Sequence, residues 1–171
     1  MPLVTGNIAT VVGTDGTAIQ ALFATMAADW RAAEVEVIGV IGEAHGLPDR
    51  TCSAGVLRDI VSGKPYSIYL EVAPSNTSCH LDATGVEAAC ATVLDQLLSC
   101  DIVILSKFGK LEAQQRGLAM AFEAAIAAGK PVLTTVSDKH REAWHDFAPD
   151  AVFLPANELA IQSWWHAQRG N

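Results

Sequence analysis

Two ammonium groups and a carboxylate stand close together in Lys107-Phe-Gly-Lys-Leu-Glu112. Ammonium groups held side by side can clamp a phosphate or another oxyanion through charge-assisted hydrogen bonds. Arg116, about one helical turn further on, can assist. The plainer use of the same residues is a solvated helix start with a local Lys–Glu pair, which contributes little.

A second candidate is the turn Gly13-Thr14-Asp15-Gly16-Thr17. A glycine-bearing turn from strand into helix can present backbone N–H groups to an anion, and the helix N-terminus favours negative charge. A nucleotide-binding P-loop also needs a lysine on the β- and γ-phosphates and a Ser/Thr on magnesium. Ile19 and Gln20 stand at those places. The plainer reading is a tight strand-to-helix turn. A third candidate gathers Cys52, Cys79, His80 and Asp82. Thiolates and imidazole suit soft or borderline metals. Nothing in their spacing demands a metal, and the chain has no CxxC pair.

The elements that must position these groups alternate between strand and helix. Ile102 to Leu105 is a short apolar run rich in β-branched residues, the pattern of a strand buried on both faces of a parallel sheet. In such sheets ligands bind at the carboxyl ends of the strands, and Lys107, Lys110 and Glu112 follow directly. Ile8 to Val12 predicts the first strand, and Thr17 to Ala33 a helix with Thr17 as its N-cap. Ile19, Leu22, Phe23, Met26 and Trp30 form its apolar stripe. Val35 to Ile41 completes a βαβ unit. The irregular stretch 42–82 contains Ser67 to Val72, which alternates like a half-exposed strand, and this points to a hairpin insertion. Helices are expected over Thr84 to Ser99, capped by Asp82 or Thr84, and over Leu111 to Ala128, ended by Gly129 and Pro131. Pro131 to Val136 and Ala151 to Leu154 read as strands, with a short helix between them from Asp138 to Phe147. A terminal helix runs from Asn157 to Gln168. The expected fold class is a single α/β domain over 1–171, with three αβα layers and a mainly parallel sheet of five or six strands.

Net charge is −8, from 11 basic and 19 acidic side chains, without a Lys/Arg cluster of the kind nucleic-acid binders show. No run approaches the ~18 apolar residues that span a bilayer. Met1 to Thr10 lacks a signal-peptide pattern, so a cytoplasmic protein is expected, with thiols rather than disulfides. Cys90 and Cys100 read as core, and His45, His140, His145 and His166 as surface. Trp144, Trp164 and Trp165 read as core or as a homodimer contact.

Several segments carry a resemblance: Cys52, Cys79-His-Leu-Asp82, Lys107-Phe-Gly-Lys-Leu-Glu112, Arg116-Gly117, Gly129-Lys-Pro-Val-Leu133, Trp144 and Trp164-Trp165. Over nearly its whole length the chain resembles the uncharacterised bacterial family domain of unknown function 2478. That family is similar in turn to the cancer-related nucleoside-triphosphatases, a P-loop group. The resemblance implies a P-loop NTPase-like fold with degenerate Walker motifs. Ser106 and Lys107 stand where the acidic Walker-B pair would be, and Ile19 where the P-loop lysine would be. It implies a protein that binds a nucleotide or inorganic oxyanion without efficient hydrolysis. The family's association with molybdenum uptake makes molybdate a ligand to test. The alternatives are a divergent magnesium-dependent nucleoside triphosphatase or phosphotransferase using Asp15, Asp82 or Glu112, a cysteine-based metal-binding accessory protein, and a dimeric interaction module built on the Trp164-Trp165 helix.

Overall fold

Short apolar runs dominate the centre of the sheet because both of its faces are covered. The computed structural model describes residues 6–13, 15–44, 54–68 and 82–169. Its strands are β1 (Ile8–Val12), β2 (Val37–Ala44), β3 (Ala54–Asp59), β4 (Pro65–Ser67), β5 (Ile102–Ile104), β6 (Val132–Thr135) and β7 (Val152–Pro155). Its helices are α1 (Gly16–Ala32), α2 (Ala83–Gln96), α3 (Lys110–Ala113), α4 (Ala119–Ala127), α5 (Arg141–Phe147) and α6 (Glu158–Arg169). The strands form one sheet in the order β4-β3-β2-β5-β6-β1-β7. β2, β5, β6, β1 and β7 run parallel, while β3 and β4 add an antiparallel hairpin at one edge.

Successive side chains of a strand point to opposite faces, so each central strand feeds two cores. Ile102 and Ile104 of β5 join a core with Phe23, Met26 and Trp30 of α1 and Ile161, Trp164 and Trp165 of α6. Val103 and Leu105 join the other core, with Val86 and Val93 of α2, Phe122 of α4 and Trp144 of α5. Three layers result, as in P-loop NTPase-like proteins. Gly39 has a practical role in this sheet. A Cβ there would lie 1.8 Å from the Ile104 carbonyl oxygen, and its φ is +128°. Only glycine lets β2 approach β5 this closely.

The structure differs from the sequence expectations in several elements. The sheet has seven strands, five in the expected parallel part and two, β3 and β4, from the expected hairpin insertion. The helix expected over Leu111 to Ala128 is two helices, broken where Gln115 and Gly117 take positive φ. Asp15, not Thr17, caps α1. Asp82 caps α2, accepting from the Thr84 N–H. Of the strand expected over Ser67 to Val72, the part beyond Ile68 lies outside the described residues. Among the described residues no helix is long and apolar enough to cross a membrane.

Candidate functional site at the carboxyl edge of the sheet

The turn after β5 is anchored by Phe108, which is buried between two exposed lysines, Lys107 and Lys110. Its ring centroid lies 5.0 Å from that of Trp144, 5.3 Å from Phe147 and 5.7 Å from Phe122. The Phe108 N–H donates to the Thr135 carbonyl oxygen at 2.8 Å, and Phe108 bridges in parallel to Val136. The turns that leave β5 and β6 therefore start side by side. An aromatic cluster of this size holds the backbone of the turn while the lysines project into solvent.

Glu112 turns inward. One carboxylate oxygen accepts from the Gly109 N–H at 2.9 Å and the other from the Leu118 N–H at 2.8 Å. The first bond is the reach-back half of a capping box. The second pulls the chain into the break between α3 and α4. Burial pushes the Glu112 carboxyl above its ordinary range, against the lowering effect of those two donors and of Lys107. Gly117 is tied to the same carboxylate, because a Cβ there would sit 2.2 Å from Glu112 Oε2. The co-occurrence of Glu112 and Gly117 thus has a packing cause. Arg116 is directed away, pairing with Glu87 of α2 at 3.1 Å.

At the end of β1, the Asp15 carboxylate accepts from the N–H groups of Thr17 at 2.9 Å and Ala18 at 3.2 Å. These donors lie where a helix N-terminus would meet an anion, and the chain supplies its own. Gly13 lies against Ile19 and Ala156, and Gly16 opens the helix. Thr14 lies outside the described residues. Ile19 is buried in the core, and Gln20 ties strands together. Gln20 donates to the Ser106 carbonyl oxygen at 2.7 Å and accepts from the Gly42 N–H at 2.8 Å. The Gln20 amide thus joins the ends of β5 and β2. Beside this loop runs an open, mostly apolar groove lined by Val12, Gly13, Ala18, Ile19, Leu22 and Ala156.

Of the cysteine group, Cys52, Cys79 and His80 lie outside the described residues, and Asp82 serves as the α2 cap. Cys90 and Cys100 are buried free thiols. Burial pushes both thiols up. Trp164 and Trp165 are also buried, the Trp165 ring packing at a tilt on Trp30 with centroids 5.4 Å apart. These indoles are core, so a dimer contact through them would need surface they do not expose.

Sequence reasoning missed two residues of this edge. His140, read as scattered surface, has its Nδ1 2.7 Å from Ser137 Oγ. Burial and then the charges of Lys107, Lys139 and Lys110 hold its pKa below the ordinary histidine value. Lys139 follows β6 as Lys107 follows β5. Lys107, Lys110 and Lys139 have no hydrogen bond or ion pair among the described residues. The other described cations do, except Lys64, whose ammonium makes only a ring contact. Arg58 pairs with Glu43, Arg141 with Asp138 and Arg169 with Asp101. Arg31 and Lys130 donate to carbonyl oxygens, and Lys64 sits over the Tyr66 ring.

The layers and the strand order are consistent with a P-loop NTPase-like three-layer fold. The chain belongs to the family described as Protein of unknown function (DUF2478), whose model matches residues 8–164. It is also similar to the Molybdenum import ATP-binding protein ModC 2 of Bradyrhizobium diazoefficiens, with 34% identity over 133 residues. That match covers 76% of this chain and 15% of the relative, so the chain spans a minor part of that protein. The likeness supports a distant P-loop relationship. No solved structure matches the chain at a significant level.

Proposed function

We propose that the protein binds a nucleotide or an inorganic oxyanion at the carboxyl edge of its sheet, without efficient hydrolysis. The observation that carries this reading is a pair of ammonium groups, Lys107 and Lys110, without a partner among the described residues, on a turn fixed by Phe108. In a chain of net charge −8, cations left without an acidic partner are available to an anion from solution. The residues that would handle magnesium and the γ-phosphate support the second half of the reading. Ile19 is core, Gln20 is a strand tie, and the carboxylates of Asp15 and Glu112 each hold two backbone N–H groups. Asp15 also competes with any anion for the start of α1, which shifts the proposed contact toward the lysines.

The relative's name joins molybdenum import to ATP binding. Molybdate and ATP are accordingly the first ligands to test. The free thiols Cys90 and Cys100 are consistent with a reducing compartment, which for this reading is the cytoplasm.

A thermal-shift screen with ATP, ADP, phosphate, sulfate, molybdate and tungstate, with and without magnesium, tests the proposal. A ligand at 100 times its Kd adds about 2.7 kcal/mol, or roughly 5–10 °C for a chain of this size. An anion shift that does not need magnesium supports the reading. A shift that appears only with magnesium, together with phosphate release from ATP, overturns it in favour of a divergent nucleoside triphosphatase.

A further inference from the structure

We propose that the turns after β5 and β6 form one site for a tetrahedral oxyanion group, held by Lys107, Lys110 and Lys139 and by the ring of His140. This deepens the function proposed above and rests on it, and it adds a second wall from the turn after β6. Three observations carry it. The Phe108–Val136 bridge sets the two turns next to each other, so residues about thirty positions apart leave the sheet from neighbouring points. Lys107, Lys110 and Lys139 all lie near enough to His140 to act on its charge, and among the described residues their ammonium groups have no hydrogen bond, ion pair or ring contact. His140 is also fixed, with Nδ1 held by Ser137.

The chemistry follows from that last contact. When the Ser137 hydroxyl donates to Nδ1, the ring proton sits on Nε2, which has no partner among the described residues. Nε2–H is then a neutral donor beside three ammonium groups, an arrangement suited to an anion carrying two charges. The groups that face His140 are Lys107 from the β5 turn, Lys110 from the start of α3 and Lys139 from its own turn. The adjacent Asp138 is paired with Arg141 at 3.2 Å. The nearby Glu112 carboxylate is engaged by the Gly109 and Leu118 N–H groups. With Glu112 held by two N–H groups and Asp138 paired with Arg141, the proposed contact is direct, from the cations to the anion. A phosphate group of a nucleotide and a free oxyanion share this chemistry. Binding either one relieves the mutual repulsion of the cations, and so it raises the affinity of His140 for a proton.

The test is calorimetry in EDTA combined with an NMR titration of the His140 ring. Phosphate, molybdate and ATP serve as probes for the wild type, Lys139→Ala, Lys107→Ala and His140→Gln. These residues lie on the surface of the turns, and circular dichroism checks that each variant folds. Lys139→Ala is expected to weaken binding by about tenfold, comparably to Lys107→Ala. The bound anion is expected to raise the His140 pKa, and wild-type affinity to rise as pH falls through it. His140→Gln is expected to abolish that pH dependence. Binding of phosphate alone identifies a free-oxyanion site. Binding of ATP alone, with the same sensitivity to Lys139→Ala, identifies a nucleotide phosphate. If Lys107→Ala weakens binding while Lys139→Ala and His140→Gln do not, this two-walled site is overturned and the general anion reading stands. If no probe binds the wild type, both fall.

Discussion

Replacing Glu112 with glutamine tests whether this carboxylate is part of the scaffold or part of a reaction. The change keeps the side-chain shape, but only one of the two end atoms can still accept. Either Gly109 or Leu118 then has its buried N–H facing an amide NH2 group, where an oxygen stood at 2.9 or 2.8 Å. An orphaned buried donor costs about 1–3 kcal/mol, offset in part because a buried charge is removed. We expect a net loss of about 2 kcal/mol, which for a chain of this length lowers Tm by roughly 4–8 °C. Gly117→Ala provides the internal control. Its Cβ would lie 2.2 Å from Glu112 Oε2, at a φ of +63°, so the carboxylate must move in that variant as well. Both substitutions break the same contact, and the double variant should be less destabilised than the sum of the singles by about 1 kcal/mol. Differential scanning fluorimetry or urea denaturation of the four proteins gives the cycle. Additive effects, or a Glu112→Gln protein as stable as the wild type, would refute the structural role. Loss of a magnesium-dependent turnover at unchanged Tm would make Glu112 a reacting group.

Further expectations follow from the neighbouring contacts. Gln20→Ala removes the bonds to Ser106 and Gly42 and should cost about 1–3 kcal/mol in chemical denaturation, without abolishing anion binding. Asp15→Asn keeps a capping side chain and removes the charge from the start of α1, so anion affinity measured by calorimetry should hold or rise. A fall would point to Asp15 as a cation ligand. Phe108→Ala should destabilise by about 3–5 kcal/mol in the same denaturation assay, because the aromatic cluster loses its centre. His140 has a lowered pKa in the folded chain, so its contribution to stability is complete above the unfolded value of about 6.5. That contribution is lost as pH falls through the folded value. In anion-free buffer the Tm difference between wild type and His140→Gln should therefore change below about pH 6.5 and stay flat above it.

Most of the architecture could be read from local pattern. The apolar runs at Ile102 to Leu105 and Val132 to Thr135 are fully buried strands, and the stripe Ile19, Phe23, Met26, Trp30 does face the core. The break after Ala113 was harder to see. Leu111, Leu118, Phe122 and Ile126 keep helical spacing across it, and the signal against a single helix was Gly117, which a polar neighbourhood disguised. The cap on α1 was misjudged because a glycine-bearing turn invites comparison with a phosphate loop, while Asp15 in that turn is an effective cap.

The candidate site was legible only on its β5 side. Lys107 and Lys110 stand out because they follow an evident strand. Lys139 and His140 gave no local signal, since their meaning depends on β6 lying next to β5, and strand order is not written in periodicity. Nor could composition show which cations have partners. The difference between Arg116, paired with Glu87, and Lys107, with no partner among the described residues, appears only once α2 is packed against the start of α4.

The most direct test of the central claim is calorimetric titration of phosphate, molybdate and ATP into the wild type and a Lys107→Ala/Lys110→Ala variant, in EDTA at neutral pH. Saturable binding to the wild type is expected without magnesium, with a loss of at least about tenfold in the variant. Equal affinity in both proteins, or binding that appears only when magnesium is restored, would contradict it.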